Sequence, residues 1–177
     1  MIKLGHSKNA KERAEVGKVV SQEKLILLVG ECKRNGQRVV FTNGCFDLLH
    51  PGHVRCLEQA RALGDLLIVA VNTDASVRLS KGDGRPVVPE GERGELLAAL
   101  ASVDYVVLFD EPTPQRLIAA VVPDVLVKGG DWGPDEIVGR DEVEAAGGRV
   151  VSVPLEAGYS TSQILARMRA LSRGTPK

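Results

Sequence analysis

Leu66-Leu67-Ile68-Val69-Ala70-Val71 sets six apolar residues in a row. Successive strand residues point to opposite faces, so a run this uniform suits a strand buried on both sides. Burial on both sides goes with parallel sheets, whose crossover connections lay helices over each face. Four more short apolar runs fit the same reading: Val39-Val40-Phe41, Tyr105 to Phe109, Val125 to Val127 and Val150 to Val153. Helical signals separate them. Leu57, Ala60 and Leu63 share one face, and Gly64 stops that helix. Glu90 to Ala101 reads as helical. Thr113-Pro114 opens a helix with Leu117, Ile118 and Val121 on its apolar face. Glu136 to Ala146 ends at Gly147-Gly148, and Ser160-Thr161 caps a last helix to about Leu171. The expected fold is α/β: a Rossmann-like, doubly wound, five-stranded parallel sheet in a single domain.

Residues 1 to about 20 are polar and charged and read as a frayed or loosely helical arm. Ser21 opens a helix through Leu25 to Val29 that ends at Asn35-Gly36 and covers the sheet or a neighbouring chain. The expected organisation is an arm and helix over 1–37, the folded domain over 38–172 and a flexible tail over 173–177. Asn72 to Pro89 reads as a long polar loop, and loops of that length are commonly functional.

Composition narrows the function classes. Twenty-three basic residues balance 23 acidic ones, which gives no reason to propose nucleic acid or a membrane surface. Aromatics are 3%, too few for stacking platforms on single strands. No uninterrupted apolar run is long enough to span a bilayer, and the polar N-terminus has no signal-peptide core. Cys32, Cys45 and Cys56 are odd in number and form no CxxC pair, which argues for a reducing compartment and against a zinc site. The expected location is the cytoplasm.

In doubly wound sheets, ligands bind beyond the carboxyl ends of the strands. The polar clusters fall there: Asn43 to His53, Asn72 to Pro89, Lys128 to Trp132 and Gly158 to Ser162. In Arg38 to Leu57, RVVFTNGCFDLLHPGHVRCL, a strand, a glycine-containing loop and a helix start follow one another. A helix start offers free N–H groups and the positive end of a dipole, which together favour an anion. Two of the three histidines, His50 and His53, stand at that mouth around Pro51-Gly52. A pair of imidazoles there suggests an anion that is acted upon chemically.

The segment GCFDLLHPGH resembles the HxGH signature of the nucleotidyltransferase superfamily that includes the cytidylyltransferases, and GYSTS resembles its second motif. TNGCFDLLHPGHV, LGDLLIVAVNTDAS, KGDGRPVVP, TPQRLIAAVVPDVLVKGGD and GYSTSQI are similar to the adenylyltransferase domains of ADP-heptose synthases. They span roughly Gly36 to Ala170. The resemblance implies that ATP and D-glycero-β-D-manno-heptose 1-phosphate are joined to give ADP-heptose and pyrophosphate. Cytidylyltransferases carry an arginine just before the second motif, where this chain has Leu155-Glu156-Ala157. That departure favours the heptose branch over the alternative, a cytidylyltransferase acting on glycerol 3-phosphate. A dinucleotide-dependent oxidoreductase lacks its GxGxxG after the first strand, and a non-catalytic nucleotide-binding domain is the remaining alternative.

By this resemblance His50, His53 and Lys81 are catalytic. His50 and His53 donate hydrogen bonds to phosphate, and Lys81 neutralises the triphosphate. The backbone of Thr42, Asn43, Gly44, Cys45 and Phe46 cradles the nucleotide, and Gly52 admits a phosphate oxygen. Arg93 and Lys128 are further phosphate contacts, Gly129 suits close ligand approach with Asp131 following it, Trp132 is either a core residue or a border of the sugar or base, and Ser160 and Thr161 form a second helix mouth. Asp47 reads as a structural acceptor of loop N–H groups, with direct magnesium binding as the alternative. Cys45 reads as a packing residue. Mg2+ is expected to be held by ATP and not by a protein cage. A homodimer is one expectation for this family, and the chain has no room for a sugar kinase, so that step is assigned to a separate protein.

Overall fold

The computed structural model describes residues 17–130, 137–154 and 158–173. Within them six strands form one sheet: β1 Val19–Val20, β2 Val39–Gly44, β3 Leu66–Asn72, β4 Tyr105–Phe109, β5 Val125–Gly129 and β6 Arg149–Val153. Their order is β1-β4-β3-β2-β5-β6, and every pairing is parallel. Seven helices connect them: α1 Gln22–Arg34, α2 Pro51–Arg61, α3 Asp74–Lys81, α4 Glu90–Ala98, α5 Gln115–Val121, α6 Arg140–Ala145 and α7 Thr161–Arg173.

The expected apolar alternation divides the core into two layers. Val39, Phe41, Ile68 and Ala70 face one way and meet Leu25 and Val29 of α1 and Leu117, Ile118 and Val121 of α5. Val40, Leu67, Val69 and Val71 face the other way onto Leu57 and Ala60 of α2 and Leu97 of α4. Leu25 and Val29 thus cover the chain's own sheet, while Leu27, on the outer side of α1, stays exposed.

Two expectations are corrected. The sheet has six strands instead of five, because Val19-Val20, placed in the arm, pairs with Val106 and Val107 at the edge. Lys18 fixes it there: its carbonyl accepts from the Val106 N–H at 2.8 Å, and its Nζ reaches the Leu100 and Val103 carbonyls. The polar segment after β3 is not one long loop but contains α3, whose N-cap Thr73 accepts from the Ser76 N–H. Residues 1–16, Asp131 and Trp132, Leu155-Glu156-Ala157 and residues 174–177, on which other expectations rest, lie outside the described residues.

At the amino ends of the strands three aspartates repeat one device. Asp65, just before β3, accepts from the Arg38 N–H at 2.6 Å. Asp124, just before β5, accepts from the Val39 N–H at 2.7 Å, and Asp104, just before β4, from the Leu67 N–H at 2.7 Å. Each carboxylate takes a backbone donor at the start of the neighbouring strand. The ladder is thereby pinned in register at the end remote from the cleft.

The chain order runs outward from β2 to β3 and β4, then crosses back so that β5 pairs with the free side of β2. That reversal between β2 and β5 is the topological switch point. It leaves a crevice above their carboxyl ends.

Candidate active site

A cleft of about 580 Å³ opens at that crevice. Its floor is the end of β2 and the following turn, Thr42 to Asp47. Asn72 at the end of β3 and Lys128 and Gly129 at the end of β5 flank it. The nucleotide cradle expected from the sequence, Thr42, Asn43, Gly44, Cys45 and Phe46, therefore lines the cleft in full. Phe46 turns into the left-handed region at φ 47° and folds its ring back over Gly44, where an added Cβ would stand 3.1 Å from the ring. A side chain at position 44 would require the ring to give by a few tenths of an ångström.

The helix mouth forms as the sequence implied. His50 is the N-cap of α2, with Pro51 in the first turn, and its Nδ1 accepts from the His53 N–H at 3.3 Å. This leaves Nε2 of His50 as its protonated nitrogen. The two imidazoles stack face to face, with centroids 3.8 Å apart and planes 16° apart. Phe46 stands against the outer side of His53 at 5.2 Å. Nδ1 of His53 is buried and has no hydrogen-bond partner among the described residues. A buried lone pair costs less there than an orphaned N–H, so Nε2 carries the proton of His53 as well.

Burial, then the neighbouring His50 and Lys81, push His53 down to about 4. Burial also lowers His50. The pair is thus neutral at pH 7 and offers N–H donors without the cost of a buried cation. Lys81 shares the cleft with His53. It lines the cleft from the last residue of α3, instead of from a loop. Lys128, at the end of β5, also lines the cleft, and burial lowers its pKa.

Gly52 is buried under Tyr159, and a Cβ there would lie 3.1 Å from both His50 Nδ1 and Tyr159 Cβ. The segment carrying the second motif therefore packs directly on the first. Ser160 accepts from the Gln163 N–H at the start of α7, and Thr161 lines the cleft with its hydroxyl 3.5 Å from the Leu48 carbonyl. Asp131 lies outside the described residues.

Arg93 departs most from its expected role. It is fully buried. Its guanidinium donates to the carbonyls of Val88 (2.9 Å), Cys45 (2.5 Å) and Asn72 (2.8 Å) and pairs with Asp74 at 2.7 Å. It fastens together the ends of β2 and β3, the start of α3 and the segment before α4, and it does not reach the cleft. The expected phosphate contact is replaced by a scaffold.

Asp47 matches its structural reading. It is 3% exposed, and its Oδ1 accepts from the Val87 and Val88 N–H groups at 2.7 and 3.0 Å. Burial pushes its carboxyl up, but these bonds and the Arg85 guanidinium outweigh that and hold it below the usual range. Sequence reasoning missed Asn72 and Arg85 among the cleft residues. Asn72 is held by the Cys45 thiol and by its own bond to Ser76 Oγ at 3.0 Å. Arg85 lines the same cleft from the segment that Asp47 holds. A polar residue closing an apolar strand was the available signal for Asn72. Among the described residues no group of three His, Cys, Asp or Glu side chains could hold a metal ion.

Known proteins resemble this chain in sequence and fold. The chain is 55% identical over 148 residues to the bifunctional protein HldE of Koribacter versatilis, covering 84% of this chain and 30% of that protein. It is 54% identical over 168 residues to HldE of Azorhizobium caulinodans, covering 95% and 35%. The chain thus spans about a third of the length of the curated relatives it matches. The crystal structure of the lipopolysaccharide core biosynthesis protein from Thermoplasma volcanium superposes with a TM-score of 0.57 at 30% identity, over 68% of this chain and 98% of that one. Pantothenate synthetase from Thermus thermophilus shares the fold at 19% identity, with a TM-score of 0.58 over 86% and 70% of the two chains. A family model described as cytidylyltransferase-like matches residues 41–167, from the middle of β2 into α7, and the chain belongs to that family.

Proposed function

We propose that this chain is a nucleotidyltransferase that joins ATP to D-glycero-β-D-manno-heptose 1-phosphate, giving ADP-heptose and pyrophosphate. The observation that carries the reading is the stacked, neutral His50–His53 pair at the mouth of α2, with Lys81 lining the same cleft as His53. The choice of substrates rests on the similarity to the HldE proteins over most of this chain.

In the reaction an oxygen of the sugar phosphate attacks the α-phosphorus of ATP. A new P–O bond forms as the bond to the β-phosphate breaks, and pyrophosphate leaves in line. No covalent intermediate on the protein is needed. Catalysis is then positioning plus stabilisation of charge on the phosphate oxygens. His50 and His53 donate from Nε2 to the oxygens where charge builds, and Lys81 neutralises the departing pyrophosphate. Lys128 approaches the nucleotide from β5, and the N–H groups at the start of α2 add a fixed positive dipole. Thr42 to Phe46 form the nucleotide cradle, closed on the other side by Gly129 and Thr161. Mg2+ would come in with ATP and would supply further positive charge to its phosphates beside Lys81 and Lys128.

The test is a pyrophosphate-release assay crossing ATP, CTP, GTP and UTP with heptose 1-phosphate, hexose 1-phosphates and glycerol 3-phosphate. Release with ATP and heptose 1-phosphate is expected. Release with CTP and glycerol 3-phosphate instead would move the chain to the polyol branch, and no release in any pairing would sink the enzyme reading.

A further inference from the structure

Arg85 stands in the cleft with donors to spare. Its Nε bonds Asp47 Oδ2 at 2.5 Å, and its side chain is 18% exposed. A carboxylate commonly takes a guanidinium through both oxygens. Here the second oxygen is already occupied, because Asp47 Oδ1 accepts the Val87 and Val88 N–H groups. The pair is therefore one-armed. Among the described residues, the terminal nitrogens of Arg85 have no protein partner, and they are not among the buried unsatisfied atoms. Arg85 lines the cleft that also holds His53 and Lys81.

The two arginines bonded to this floor are employed differently. Arg93 spends its guanidinium on three carbonyls and Asp74 and has no exposure. Arg85 spends one N–H on Asp47 and, among the described residues, keeps its planar outer edge unengaged. Asp47 is itself bonded at both oxygens and bridges the turn after β2 to residues 38 to 41 positions later. A guanidinium held by one N–H on a fixed carboxylate, with its other edge turned to solvent, is a preset fork for two phosphate oxygens.

We infer that Arg85 is a phosphate-binding residue of this cleft, aimed by Asp47 as its positioning residue. The inference rests on the nucleotidyl-transfer reading for the identity of the phosphate, which is either the triphosphate tail or the acceptor's phosphate monoester. It does not rest on that reading for the binding itself. Arg85→Gln removes the charge and the fork, Arg85→Lys keeps a charge without the fork, and Asp47→Asn faces the Arg85 Nε–H with an amide that aims poorly.

Titration calorimetry of the full chain with inorganic pyrophosphate and with inorganic phosphate tests the binding directly. Arg85→Gln is expected to weaken whichever anion the wild type binds by tenfold or more, and Arg85→Lys by less. The thermal midpoint, measured alongside, controls for folding. In turnover, a raised KM for ATP identifies the triphosphate as the partner, and a raised KM for the sugar phosphate identifies the acceptor. Asp47→Asn is expected to raise the same KM, with no further rise in the double variant. Equal anion binding by folded wild type and Arg85→Gln overturns the inference, as does a wild type that binds neither anion. A wild type that binds pyrophosphate through Arg85 but never releases it from ATP overturns the enzyme reading and leaves Arg85 standing.

Discussion

The His50 ring lies flat on the His53 ring at 3.8 Å, and the same His50 accepts the His53 backbone N–H. One residue thus caps the helix, orients its neighbour's ring and, by proximity, makes a second positive charge unfavourable. The two rings behave as a single neutral plate of donors.

Removing one half of that plate is expected to cost chemistry and not folding. His53→Ala should lower turnover by about 10²-fold or more, measured as pyrophosphate release, with far-UV circular dichroism unchanged. Near-wild-type turnover in a folded variant would remove His53 from the reaction.

Stability should depend on pH through the same ring. His53 titrates near 4 in the folded chain and near 6.5 when unfolded. The unfolded chain therefore binds the extra proton between those values. The contribution is complete above pH 6.5 and disappears as pH falls towards 4. After allowance for solvent reaching the ring through the cleft, it amounts to about 1 to 2 kcal/mol. Urea unfolding at pH 7 and pH 4.5 should show the wild type losing that much more than His53→Gln. Equal losses in the two proteins would contradict the shift.

Arg93→Ala should be among the most damaging single changes in the chain. It strips a donor from three carbonyls and leaves Asp74 without its cation. Breaking a buried pair from one side costs about 3 to 5 kcal/mol. Arg93→Lys can keep one bond but not the fork, and should recover little. Chemical unfolding of both variants measures this; a loss under 1 kcal/mol for Arg93→Ala would show the scaffold to be dispensable.

Asp124→Ala is expected to cost about 1 to 3 kcal/mol by leaving the Val39 N–H unpaired in a half-buried place. Hydrogen exchange at Val39 should rise, while the KM values stay as they were.

Much of this was legible in the residues. The apolar runs of β2 to β5 and the HPGH mouth need only local pattern, and both form as expected. What escaped the sequence was held by distant partners. Val19-Val20 is too short to show any period and is a strand only because Val106 and Val107 receive it. α3 has a single large apolar side chain turned fully inward, Val77, so its polar composition hid the helix that Thr73 caps. Arg93 read as a phosphate ligand because its acceptors are mostly main-chain carbonyls, up to 48 residues away, and no side-chain pattern records a carbonyl. Arg85 was missed for the converse reason: its partner Asp47 is 38 residues earlier in the chain.

The aspartates at the strand starts have a consequence for how this protein can vary. A seven-residue strand such as β3 runs about 20 Å from end to end, so alignment is decided at one pole and phosphate chemistry at the other. Substitutions at the two poles share no partner, and their energies should simply sum. Such a chain can be made tougher from below while its substrate choice is reworked from above.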